Sequence, residues 1–280
     1  MLDLGRARDP EPVSQGLHIG RIAGIPVDVN WTWVILFALI DWTLAASVFP
    51  STNPGLTEGT YATMGTVAAL AYFGGLLMHE LGHALQARRE GVGIDGITLW
   101  LFGGVARMRG FFPSRGAELR IELAGPAVTA ALAAAFVALA RVSHFGPAPD
   151  GVLAWLGYMN IVLLLFNLVP ALPLDGGRVL RASLWWLRGN FEWATLVAAR
   201  VSRALSVAMM GAGVVLLFAG GGIGGVWLVV IGWFVFSVRR ETRAEVCLRA
   251  RRSELTRQSR RRLEGKHPEE ARPLGRARID

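Results

Sequence analysis

At 280 residues the chain has room for one large domain or two small ones, and apolar residues make up 52% of it against 18% charged. With a mean hydropathy of +0.41 this is the composition of a membrane protein and argues against a soluble enzyme. The net charge of +8 raises the question of nucleic acid, but the charges lie beside apolar segments and no nucleic-acid motif accompanies them, so none is expected as a partner.

The chain opens on an arm, residues 1–26, carrying Arg6, Arg8 and Arg21. No cleavable signal peptide is evident: the first apolar segment starts late, is long, and lacks a small-residue cleavage site. Six apolar segments are long enough, or nearly so, to cross a hydrocarbon core that needs roughly 20 helical residues. They lie near 30–49, 61–86, 119–142, 152–169, 201–219 and 223–238, giving a core of residues 27–238. The first contains Asp41, an ionisable group that fits no motif. The abundant tryptophans suit the membrane–water interface, and the single cysteine, Cys247, rules out an intrachain disulfide.

The second segment carries no charge from Met64 to Met78 and then ends in His79-Glu80-Leu81-Gly82-His83. Histidines at i and i+4 share a helix face, so both imidazoles can reach one Zn²⁺. Glu80 then stands beside the metal, where it can take a proton from water. Between the second and third segments, residues 94–99 and 101–108 read as short strands or a hairpin, with Gly103-Gly104 inside. Such a hairpin either plugs the bundle or offers a strand edge to an unwound peptide, with Gly103 and Gly104 allowing close main-chain approach. Small residues (Gly74, Gly75, Gly82, Ala124, Gly125, Ala127) are dense in the second and third segments and fit close helix packing in lipid.

After the fourth segment comes Asn167-Leu168-Val169-Pro170-Ala171-Leu172-Pro173-Leu174-Asp175-Gly176-Gly177. The prolines cannot continue a regular helix and the glycines permit a tight turn, which places Asp175 on irregular backbone near the membrane. A carboxylate there needs a partner, and a catalytic zinc held by two histidines lacks a third protein ligand. Asn160, seven residues before Asn167 and on the same face, is accounted for by interhelical bonding, whereas Asn167, next to the turn, is read as part of the site.

Taken together, the two motifs and their placement resemble the site-2 protease family of intramembrane zinc metalloproteases, over roughly residues 27–238. The resemblance implies zinc ligation by His79, His83 and Asp175, one Zn²⁺ per chain, catalysis by Glu80, and a role for Asn167 in handling the substrate backbone. It implies that the segment around Gly103 and Gly104 helps to hold a transmembrane protein substrate. Many members carry a PDZ insert for which these loops are too short, and another branch appends paired CBS domains for which the tail is too short and too charged.

Arg and Lys avoid the connections 50–60, 143–151 and 220–222, whereas the alternate connections hold clusters of arginine. The positive-inside rule then places both termini and the paired motifs toward the cytoplasm, in a multi-pass protein of the cell membrane. The basic tail, 239–280, reads as a solvated segment that fixes topology or meets anionic lipid headgroups. The expectation is an all-α membrane protein with six transmembrane helices and a short β-hairpin-like segment between spans two and three, acting as a zinc endopeptidase. A membrane metal-binding or transport protein would spread ionisable residues along several spans, and an inactive helix-binding scaffold would have no need of Glu80.

Overall fold

The computed structural model describes residues 16–100, 103–109, 112–142, 144–220 and 222–237. The basic tail and the first part of the arm lie outside the described residues. The chain divides into two units, Met1–Gly189 and Asn190–Asp280.

In the first unit, strand β1 (Gly16–Ile22) turns at Ala23-Gly24, both with positive φ, into β2 (Ile25–Asn30). That is the backbone of a two-residue hairpin whose twist matches the flanking strands. Ile25, Val27 and Val29 alternate inward, burying one face of β2. The arm, residues 1–26, thus carries β1 and the first two residues of β2, strands that the sequence reading did not mark. The alternation in Ile25-Pro26-Val27-Asp28-Val29 is a strand pattern, but the long apolar run beginning at Trp31 masks it.

Asn30 caps helix α1 (Trp31–Thr43), its side chain accepting from Thr32 N at 3.0 Å. A π-helical turn (Leu44–Val48) and the short α2 (Phe49–Thr52) continue the same rod. Asp41 now has a partner: Thr66 donates its hydroxyl to Asp41 Oδ1 at 3.2 Å, tying α1 to α3 (Glu58–Arg89). Helix α3 is capped by Thr57, begins with Glu58 and ends with Arg88 and Arg89, charges that suit the helix dipole at each end. Just beyond it, Arg120 donates to the Glu90 carboxylate at 2.6 and 2.8 Å and holds that carboxyl below its usual range.

The chain then enters β3 (Gly93–Trp100) and β4 (Gly103–Arg109), antiparallel partners as the sequence suggested. The sheet order is β1-β2-β3-β4, with β2 and β3 parallel, so β4 forms one edge. Ile25, Val29, Ile97 and Leu99 pack against Ala84 of α3, which sets the sheet beside the histidine end of that helix. Helices α4 (Arg115–Val142), α5 (Pro147–Asn167) and α6 (Asp175–Arg188) complete this unit.

Helix α6 corrects the sequence reading. Asp175 is its first residue, and Gly176-Gly177 form its first turn instead of a tight reverse turn. The glycines serve close approach: a Cβ at Gly176 or Gly177 would collide with the backbone of Leu168, Val169 and Ala171. Asn160 also differs from expectation: among the described residues its hydrogen bond runs to Leu156 O of its own helix, at 2.8 Å. Of the small residues read as packing positions, Gly82 lies against Ala124 of α4, whereas Gly74 faces open space.

The second unit is a helical hairpin, α7 (Phe191–Phe218) and α8 (Gly222–Ser237), whose backbones close on each other at Gly213, Gly225 and Gly232. Asn190 caps α7, which starts well before the apolar run from 201, because its first turns are amphipathic and length alone does not mark them. Among the described residues five helical stretches are long and apolar enough to span a membrane, at Trp31–Thr52, Glu58–Arg89, Arg115–Val142, Pro147–Asn167 and Phe191–Phe218. The sixth apolar segment, Gly224–Ser237, is shorter. Many large apolar side chains of these helices are exposed among the described residues, as lipid-facing helices require.

Candidate metal centre

His79 and His83 occupy consecutive turns of α3 and are buried, at 3% and 4% exposure. Each ring is oriented from its far nitrogen by α4. His83 Nδ1 lies 2.7 Å from the carbonyl oxygen of Ile121, and His79 Nδ1 lies 2.8 Å from Thr129 Oγ1. A carbonyl only accepts, so Nδ1 of His83 carries the N–H and its Nε2 presents a lone pair. Such partners are what metal-ligating histidines use to fix tautomer and ring orientation. Room for the His83 ring comes from Gly125, where any Cβ would overlap the imidazole.

The Nε2 atoms converge on Asp175. His79 Nε2 is 3.1 Å and His83 Nε2 3.3 Å from Asp175 Oδ2, and the two Nε2 atoms are 3.2 Å apart. Lone pairs and a carboxylate gathered at one buried point repel unless a cation or a shared proton stands among them. Zinc bonds of about 2.0–2.2 Å in a tetrahedron place donors roughly 3.3–3.6 Å apart, close to what the three atoms already show. Among the described residues, this is the cluster of His, Cys, Asp and Glu able to hold a metal ion. The donor set therefore fits Zn²⁺.

Glu80 lies beside His79 on α3, and β4 covers it. A Cβ at Gly104 would overlap Glu80 Cγ and stand 3.0 Å from its Cδ. The space left by Gly104 is thus filled by the protein's own carboxylate, while a Cβ at Gly103 would meet nothing within 4 Å. Asn167 closes α5, half-buried, just ahead of the loop that leads to Asp175. Its side chain makes no hydrogen bond among the described residues, so the structure does not join it to the three metal donors.

Sequence reasoning missed the contribution of α4. Besides Thr129, Ile121 and Gly125, this helix presents Glu118 and Glu122, which pair with Arg181 and Arg178 of α6. Two carboxylates at i and i+4 at the start of an apolar helix were the available signal.

The sequence profile of Peptidase family M50 matches residues 67–150 and 146–210, which hold all three metal donors and Glu80. A protein of Mycobacterium tuberculosis named zinc metalloprotease Rip3 is 42% identical over 233 residues, covering 82% of this chain and 59% of the relative. The chain belongs to Peptidase family M50. A second relative, a protein of Synechocystis named as a zinc metalloprotease, is 34% identical over 80% of this chain and 58% of its own length. The chain thus spans less than two thirds of these curated relatives. The solved Site-2 Protease from Methanocaldococcus jannaschii matches with a TM-score of 0.52 at 27% identity, covering 81% of this chain and 94% of that one.

Proposed function

We propose that this chain is a multi-pass zinc endopeptidase that hydrolyses peptide bonds in or beside transmembrane segments of other proteins. One observation carries the reading. Three metal-donor atoms converge 3.1–3.3 Å apart at the end of an apolar helix, with Glu80 alongside. Depth supports it too: at 1.5 Å per residue, His83 and His79 lie about 8 and 14 Å along α3 from Arg88, the first charged residue beyond the motif to suit an interface. Both relatives carry the name zinc metalloprotease, which favours zinc as the ion, one per chain.

Zn²⁺ held by His79, His83 and Asp175 supplies Lewis acidity, polarising a carbonyl and making water acidic near neutral pH. The residues do the rest. Thr129 and the Ile121 carbonyl keep both imidazoles turned inward. Glu80 receives the proton of the attacking water on a carboxylate oxygen and delivers it to the departing amide nitrogen. Asn167 steadies the substrate backbone at the end of α5. A transmembrane helix hides its carbonyls in i→i−4 bonds and must unwind before hydrolysis. The outer edge of β4 accepts the freed backbone as an added strand, placing it over Gly103 and next to Glu80. The five long apolar helices and the shorter Gly224–Ser237 make up six spans, and the arginine distribution favours cytoplasmic termini and a cytoplasmic entrance to the site, in a protein of the cell membrane.

The test is cleavage of a pool of single-span polypeptides in proteoliposomes loaded with Zn²⁺, comparing wild type with Glu80→Gln. New termini inside the spans, made by wild type alone, are expected. Cleavage confined to soluble flanks, or equal in both proteins, overturns the reading.

A further inference from the structure

The ligands come from α3 and α6, yet their arrangement is set by α4. One stripe of α4 carries Glu118, Ile121, Glu122, Gly125 and Thr129, at helical spacings of three and four that bring them onto one face. Ile121 and Thr129 hold the two imidazoles. Glu118 and Glu122 reach the other way, to α6. Arg181 Nε donates to Glu118 Oε1 at 2.8 Å, and Nη2 lies 2.6 Å from the same oxygen, with the two side chains 7% and 0% exposed. Arg178 Nη1 approaches Glu122 Oε1 at 3.4 Å and is half-exposed, so this second pair is the looser one.

Arg178 and Arg181 lie on the first two turns of the helix whose first residue is Asp175. Otherwise the start of α6 is joined to α5 by the irregular stretch between Asn167 and Asp175, broken at Pro170 and Pro173. A carboxylate at the first position of a helix points where the helix's rotation and axial shift direct it. An Arg–carboxylate pair adds directional precision to attraction. Buried pairs contribute little net stability, and fixing register is their best-attested use. We propose that Glu118–Arg181 is a positioning pair for the third metal ligand, locking α6 against α4 so that Asp175 Oδ2 meets both Nε2 atoms. Neither residue touches metal or substrate; each acts through Asp175. The proposal rests on His79, His83 and Asp175 being the zinc site.

The experiment measures Zn²⁺ affinity by chelator competition on the purified full chain, with the visible spectrum of the Co²⁺ form as a second readout. Glu118→Gln and Arg181→Lys are made in wild type and again in Asp175→Ala. In wild type, Glu118→Gln should weaken Zn²⁺ binding about 10–100-fold and shift the Co²⁺ bands, with Arg181→Lys, which keeps the charge but loses the fork, doing the same more mildly. In Asp175→Ala neither change should weaken binding further, since the ligand being positioned is gone. Equal losses in both backgrounds would mean that the pair serves the fold and not the ligand. Unchanged affinity and spectrum would equally overturn the proposal. If Glu118→Gln does not fold, Arg181→Lys decides alone. Zn²⁺ bound as tightly by Asp175→Ala as by wild type would instead refute the metal site, and the positioning role with it.

Discussion

The contact between β4 and Glu80 makes Gly104→Ala an informative single-methyl substitution. The new Cβ would overlap Glu80 Cγ and stand 3.0 Å from Cδ, so an ordinary van der Waals separation requires the carboxylate to move by about 1 Å. A displacement of that size in a group that must meet its proton in line costs about 10²-fold in rate, or about 2.7 kcal/mol at the transition state. Glu80 is not a metal donor, so zinc content should stay at the wild-type level. Gly103→Ala is the control. A Cβ there meets nothing, but the glycine has φ near +125°, so the substitution costs about 1–3 kcal/mol of local strain without crowding the base. Steady-state cleavage of a reporter, zinc content and melting temperature on the same preparations separate these effects. The expected pattern is a fall in kcat at Gly104 with zinc retained, and a fall in melting temperature at Gly103. Near-normal kcat in Gly104→Ala would refute the idea that β4 sets the position of Glu80.

Other outcomes are equally concrete. Purified protein should hold about one zinc, its affinity sharply reduced but measurable in His79→Ala, His83→Ala or Asp175→Ala and kept in Glu80→Gln; full wild-type affinity in Asp175→Ala would remove that residue from the ligand set. Thr129→Val should weaken Zn²⁺ binding about 10–100-fold in chelator competition, because it removes the group that orients His79. Reporters fused after Gly91 and Gly189 should read cytoplasmic and those near Gly55 and Asp150 the opposite side, and a reversed pattern at Gly91 would refute the assigned orientation. Truncation after Thr242 should leave cleavage within several-fold of wild type, and loss of cleavage with zinc and folding intact would give the tail a part in substrate handling.

What the sequence revealed was what has a local signature. His79 and His83 are legible because two imidazoles at i and i+4 are costly to bury in a charge-free helix unless a metal joins them. Asp175 is legible because Pro170 and Pro173 announce a break in an apolar stretch. The β3–β4 hairpin could be read from its apolar, glycine-containing strands. Three features escaped for a common reason: each depends on elements far apart in the chain. The first hairpin has a local alternation at Ile25–Val29 that the apolar run from Trp31 masks, and its purpose shows only when β2 is seen pairing with β3, across the whole of α1–α3. Gly125 looks like an ordinary small residue of a membrane helix until the His83 ring is found in its space. Glu118 and Glu122 gain meaning only from Arg178 and Arg181, which their own helix does not carry. Gly104 stands out in the sequence for close approach, but what approaches it among the described residues is Glu80.

The central claim, zinc-dependent hydrolysis inside the membrane with Glu80 as the base, is met most directly by mapping peptide termini in whole membranes. Membranes from cells producing wild type and from cells producing Glu80→Gln at equal abundance are compared by mass spectrometry of all new protein termini. The account predicts a set of termini lying within or at the edge of transmembrane segments, present with wild type and absent with Glu80→Gln. Identical sets of termini in the two membranes, with both proteins folded and carrying zinc, would contradict it.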